Sequence, residues 1–170
     1  MFKRVVLIIA PENYREEELF HTLKEVETSG IGILIASKKI GTCIGQVTKT
    51  KTESLASLEM IKVDDYDGII FIGGFGSSVF FEDEKAKSLA IDFYAANKVV
   101  AAICIAPSIL ANAGLLKGKT VTAYESEKDN LEKHGANFTG NKVEQDGLII
   151  TANGPEAAHK FGKTIALALT

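Results

Sequence analysis

Five stretches of the chain are continuously apolar: residues 4–10 (RVVLIIA), 31–37 (IGILIAS), 68–72 (GIIFI), 98–103 (KVVAAI) and 148–152 (LIITA). A strand with one wet face alternates apolar and polar residues, whereas a strand covered on both faces does not. The runs therefore predict a mainly parallel sheet with helices on either side. Between them the apolar residues return at helical spacing. Leu19, Leu23 and Val26 mark a helix over 15–29, and Ala86, Leu89, Ala90 and Phe93 one over 83–96. Ala157, Phe161, Ile165 and Leu169 mark a third over 156–169. The Thr-rich segment Thr42–Lys51 suits a small side hairpin. Asn141–Gly147 suits an edge hairpin turning at Asp146 and Gly147, a favoured two-residue turn pair. No repeat or linker interrupts the pattern, which reads as a single α/β domain over residues 1–170.

Composition narrows the function classes. A formal net charge of −3 argues against nucleic acid as the main partner, because a phosphate-binding surface leaves a basic excess. The apolar runs are strand-length, too short to cross a bilayer, so no membrane partner is expected. The start MFKRVVLIIAPENY has a basic head and an apolar run, but it reads as a first strand because no small-residue cleavage site follows. Cys43 and Cys104 are then expected to be reduced thiols in a cytoplasmic protein. His21, His134 and His159 show no metal-ligand spacing, so neither a metal nor a cofactor is expected.

Cys104 is the most informative residue. It closes the run KVVAAIC, and a helix-like segment follows directly after it, with Pro107 placed for the first turn. In open parallel sheets, chemistry collects at the carboxyl ends of the strands. A nucleophile on a sharp strand-to-helix turn needs small residues two positions away on each side, and here those are Ala102 and Ala106. A nearby helix start favours thiolate. The competing reading is a buried core cysteine. Cys43, in the hairpin-like segment, suggests no role.

Two further segments could meet Cys104. In IIFIGGFGSS, Gly73 and Gly74 follow a buried strand and let the backbone approach a neighbour. The segment lacks dinucleotide-binding spacing. It suits an oxyanion site, with the Gly74 N–H aimed at the same pocket as that of Ile105, or else a simple tight turn. In NYREEELF, Glu16, Glu17 and Glu18 open the first helix, where acidic residues complement the dipole. One of them could reach Cys104. Helical periodicity turns Glu16 inward more readily than Glu18, and does not by itself select the acid.

These segments together resemble the ThiJ/PfpI superfamily, which includes deglycases and PfpI-type intracellular proteases. The resemblance runs from EEELFHTLKEVETSG through YDGIIFIGGFGSS and VVAAICIAPSILANAGLLKGKTVTAY to VEQDGLIITANGP. It implies a flavodoxin-like three-layer sandwich, related to class I glutamine amidotransferase domains, with a nucleophile elbow and a homodimeric assembly. In the family's register Cys104 is the reactive cysteine and Glu18 its protonated partner. Gly74 and Ile105 supply backbone oxyanion donors, and Gly73 and Tyr124 stand at the pocket rim. The implied function is a cysteine-dependent stress response on small reactive carbonyls, of glyoxalase or deglycase type. The alternatives are a redox sensor or chaperone meeting damaged protein, and a PfpI-like peptidase. Ile105 stands where the peptidases carry histidine, and Asn153–Pro155 (NGP) resembles the deglycase branch.

Overall fold

Each of the five apolar runs forms one strand of a seven-stranded sheet in the computed structural model, which describes residues 1–170. In chain order the first elements are β1 (Arg4–Ile8), β2 (Glu12–Tyr14), α1 (Glu16–Thr28), β3 (Gly32–Ser37), β4 (Gly41–Gly45) and β5 (Lys51–Ser54). Then come β6 (Ala56–Ser57), β7 (Gly68–Phe71), α2 (Glu84–Ala95), β8 (Val99–Ile103), α3 (Pro107–Asn112) and β9 (Thr120–Val121). The chain closes with α4 (Lys128–Lys133), β10 (Asn137–Phe138), β11 (Val143–Asp146), β12 (Ile149–Ala152) and α5 (Ala158–Leu169).

The main sheet has the order β11-β12-β8-β7-β1-β3-β6. Every neighbouring pair is parallel except the β11–β12 hairpin. Successive strand residues point to opposite faces, and the core divides accordingly. Val6, Ile8, Ile69, Phe71, Val100 and Ala102 meet Leu89 and Phe93 of α2 and Ile109 of α3. On the other face Val5, Leu7, Ile70, Val99, Ala101 and Ile103 meet Leu19 of α1 and Phe161 and Ile165 of α5. Burying a side chain such as Phe161 contributes roughly 2–3 kcal/mol, and the continuous apolar runs follow from this two-sided cover. The result is a three-layer α/β sandwich.

Three features differ from expectation. The β11–β12 hairpin turns one residue later, because Asp146 still pairs with Ile149 and the loop is Gly147 and Leu148. Gly147 takes φ 61, the positive angle that a first loop position of a tight hairpin turn requires. The side hairpin β4–β5 extends to Ser54, and β2 joins it to make a second small sheet. Finally, α3 begins at Pro107 rather than directly after Cys104.

The chain leaves β1 towards β3 on one side and reaches β7, β8 and β12 on the other. The carboxyl ends of β1, β7 and β8 therefore border the point where strand order reverses, the usual crevice for a ligand in such sheets. Cys104, Gly73 and α1 all meet there.

Candidate active site

Cys104 directly follows β8 and adopts φ 66. For a side chain other than glycine this left-handed conformation costs about 1–2 kcal/mol. Tertiary bonds hold it: the Cys104 N–H donates to Ala152 O (2.9 Å) and its carbonyl accepts from the Tyr124 N–H (2.8 Å). Ala102 and Ala106 are fully buried, so larger residues there would block the turn. Ile105 and Ala106 complete it before α3 starts.

Gly73 lies immediately against the nucleophile. The resemblance put it at the rim, but it is wedged between Glu18 and Cys104. A Cβ there would stand 2.5 Å from Glu18 Oε1, 2.6 Å from Cys104 Cβ and 2.7 Å from Ile103 O. Its amide donates to Glu18 Oε1 (2.9 Å), and its carbonyl accepts from the Arg15 N–H (2.9 Å). Gly74 takes φ 107 and has no room for a side chain beside Asn13 and Arg15.

The first turn of α1 is buried on two sides. Residues 16 and 18 lie about 200° apart around a helix, yet neither is exposed: Glu16 retains 6% and Glu18 0% of its accessible surface. Glu16 faces the loop between β4 and β5, where its carboxylate accepts from the Val47 N–H (2.9 Å), the Thr48 N–H (2.7 Å) and Thr48 Oγ1 (2.9 Å). Burial alone would raise its pKa, but these donors hold it down at about 2. Glu18 faces Cys104. Glu17 points outward and pairs with Arg15 (2.9 Å).

Glu18 and Cys104 share one electrostatic problem. Burial raises the Glu18 pKa to about 7, against the lowering effects of the Cys104 thiol, the Gly73 amide and the Arg15 charge. Oε2 of Glu18 is buried and accepts no hydrogen bond. Burial also pushes the Cys104 thiol up, and an ionised Glu18 pushes it further, whereas the amides of Gly74 and Ile105 favour the charged sulfur. Two negative charges cannot coexist here, so the pair loses its first proton near pH 7 and keeps the second well above it. When that proton sits on Glu18, the repulsion disappears and the two amides stabilise thiolate.

A cavity of about 420 Å³ opens over the sulfur, lined among others by Glu18, Gly74, Cys104, Ile105 and Tyr124. Tyr124 stands half exposed at its mouth. Sequence reasoning missed Arg15, Gln46, Phe81 and Glu127 in its wall. Gln46 Oε1 accepts from the Phe75 N–H (2.7 Å), and Glu127 accepts from Ser108 Oγ (2.8 Å). Nothing local in the sequence signals these residues, because loops far apart along the chain bring them together. No histidine lines the cavity: His21 and His159 stack on each other at 4.1 Å, and His134 bonds the Asn130 carbonyl.

Cys43 offers a direct contrast. It is 2% exposed, and burial raises its thiol pKa, as it does that of Cys104, but with no backbone amide to favour the thiolate. Cys104 opens into the cavity and has two amides favouring its thiolate. Limited iodoacetamide treatment followed by peptide mapping should therefore label Cys104 well ahead of Cys43. Equal labelling would contradict the assignment of Cys104 as the reactive thiol.

The DJ-1/PfpI family matches residues 3–168. An uncharacterised Methanocaldococcus jannaschii protein is 36% identical over 169 residues, covering 98% of this chain and 82% of its own. A Pyrococcus abyssi protein named a deglycase is 30% identical, covering 88% and 90% respectively. Among solved structures, a ThiJ/PfpI domain protein from Brachyspira murdochii superposes with a TM-score of 0.96 at 27% identity, over 99% of this chain and 96% of that one. With the sandwich, the strained cysteine and its buried glutamate already in view, these likenesses are decisive: the chain belongs to the DJ-1/PfpI family.

Proposed function

We propose that this protein uses Cys104 as a nucleophile on small reactive carbonyls, in a stress-protective activity of glyoxalase or deglycase type. The observation carrying this reading is the pairing of a positive-φ cysteine with a fully buried carboxyl whose second oxygen has no other partner. A protonated Glu18 can donate from that oxygen towards the sulfur and then pass its proton to the substrate. Thiolate attack on an aldehyde forms an S–C bond and opens the C=O bond. The alkoxide oxygen would lie near the N–H groups of Gly74 and Ile105, which first favour the thiolate and then share the developing charge. Glu18 protonates that oxygen and can accept a proton later in the cycle. The name of the Pyrococcus abyssi relative supports this class of chemistry.

Peptidase activity is disfavoured. Ile105 cannot act as a base, and no histidine lines the cavity within this chain. The experiment is steady-state consumption of methylglyoxal by wild type and Cys104→Ala. Turnover should fall to the uncatalysed background in the variant. Equal consumption by both would refute the proposal. Cys104-dependent casein hydrolysis without carbonyl turnover would favour the peptidase reading instead.

A further inference from the structure

Arg15 is the one cationic side chain in the wall of the Cys104 cavity. It precedes the first residue of α1, and its backbone is fixed by the bond from its N–H to Gly73 O. Its single side-chain hydrogen bond runs from Nη2 to Glu17 Oε1 (2.9 Å), a carboxylate that is half exposed to water. Nε is buried and has no partner at all. Apart from the bond to Glu17, the guanidinium fork makes no hydrogen bond within the chain, so a residue that lines the cavity keeps donors for an acceptor bound there. Its charge interacts with Glu18 and Cys104, which line the same cavity.

The other carboxylates of the wall do not neutralise it. Burial raises the Glu18 pKa and so favours its neutral form, and Glu127 is engaged by the hydroxyls of Ser108 and Ser126. The remaining lining is largely apolar or uncharged: Phe75, Phe81, Ile105, Tyr124 and Pro155. Such a cavity offers one small anionic group a single cationic partner. A single guanidinium suits a carboxylate, whose two oxygens match its planar fork.

We propose that Arg15 makes the site selective for small aldehydes that carry a carboxylate. This rests on the reading of Cys104 as a nucleophile towards carbonyls. Arg15 binds the carboxylate while Sγ adds to the aldehyde carbon. The S–C bond forms, the C=O π bond opens, and the oxygen takes the proton held by Glu18, so the addition needs no other reactant. Glu17 competes for the same guanidinium and sets how readily the substrate anion displaces it.

Iodoacetate and iodoacetamide test this without requiring turnover. They have nearly the same shape, and both form an S–C bond and release iodide, but one carries a carboxylate and the other a neutral amide. The readout is the ratio of their alkylation rates at Cys104 in the full chain. Arg15→Gln should lower the iodoacetate-to-iodoacetamide ratio by about tenfold, the scale of one charged hydrogen bond, and Arg15→Lys should restore part of it. Glu17→Gln removes the competitor at a half-exposed position and should raise the ratio. Glyoxylate should protect Cys104 from iodoacetamide at lower concentration than inorganic phosphate does. If Arg15→Gln slows both reagents equally, Arg15 acts only through the ionisation of the thiol and the subsite is refuted. Stronger protection by phosphate would overturn the assignment to a carboxylate. Because alkylation is independent of turnover, a failure of the subsite is distinguishable from a failure of carbonyl chemistry.

Discussion

Glu18→Gln should abolish most carbonyl turnover and leave the fold intact, whereas Glu16→Gln should weaken the fold and spare the chemistry. Glutamine at position 18 can still accept from the Gly73 N–H, but it cannot donate and recover a proton. Losing a positioned general acid–base lowers rates by roughly 10²- to 10⁴-fold. Stability should move the other way. The folded pKa of Glu18, about 7, lies above its ordinary value of 4.5. Such a group contributes fully below the ordinary value, and its contribution is lost as pH rises through 7. Replacing it should therefore stabilise the protein at pH 8 relative to wild type, by up to about 3 kcal/mol, and make little difference at pH 4.

Glu16 has the opposite sign. Its folded pKa of about 2 lies below the ordinary 4.5, so its contribution is present above 4.5 and disappears as pH falls through 2. A glutamine there turns an NH₂ group towards the amides of Val47 and Thr48 and leaves buried donors unpaired, costing roughly 1–3 kcal/mol at neutral pH. Urea unfolding at pH 4 and pH 8, alongside methylglyoxal consumption, separates the two effects. Loss of turnover in Glu16→Gln with normal activity in Glu18→Gln would reverse the assignment.

Gly73→Ala should disable the site by geometry alone. The added Cβ would lie within 2.7 Å of Glu18 Oε1, Cys104 Cβ and Ile103 O. None of these is the loose end of a flexible side chain. Ile103 O belongs to β8, and Glu18 is fixed by the Gly73 amide itself. Either the β7 loop withdraws, breaking that bond, or the elbow opens. We expect a loss of about 1–3 kcal/mol in stability, as for other overpacked interiors, together with loss of preferential alkylation at Cys104. Thermal unfolding and thiol mapping on the same variant check both. Wild-type reactivity at Cys104 in a folded Gly73→Ala variant would show that the close approach is not required.

The central strands were legible because burial on both faces writes itself into continuous apolar runs such as RVVLI and VVAAI. The elbow was legible from Ala102, Cys104, Ala106 and Pro107, since a crowded turn demands small residues at fixed offsets. The short strand β2 was not. Its residues Glu12–Tyr14 carry no strand pattern, and Asn13 sits at φ 61. Its order comes from pairing with β4, a tertiary effect that propensity does not register. Choosing between Glu16 and Glu18 failed for a related reason. Periodicity assumes one buried helix face, whereas the first turn of α1 is held between the β4–β5 loop and the Gly73 turn. The register of the family resemblance selected Glu18 as the residue facing Cys104. Gln46 and Glu127 reach the cavity through folding that no local pattern encodes.

The most direct measurement is the pH dependence of Cys104 alkylation by iodoacetamide in wild type and Glu18→Gln. If the two groups share one proton, the first ionisation of the pair centres near the Glu18 value of about 7. Wild-type reactivity should then rise through pH 7, below the range of an ordinary thiol at about 8.5. Without Glu18 the buried thiol titrates alone, so the midpoint should move up by more than about one pH unit while the reaction itself persists. Identical profiles in the two proteins, both centred near the ordinary thiol value, would contradict a proton shared between Cys104 and Glu18.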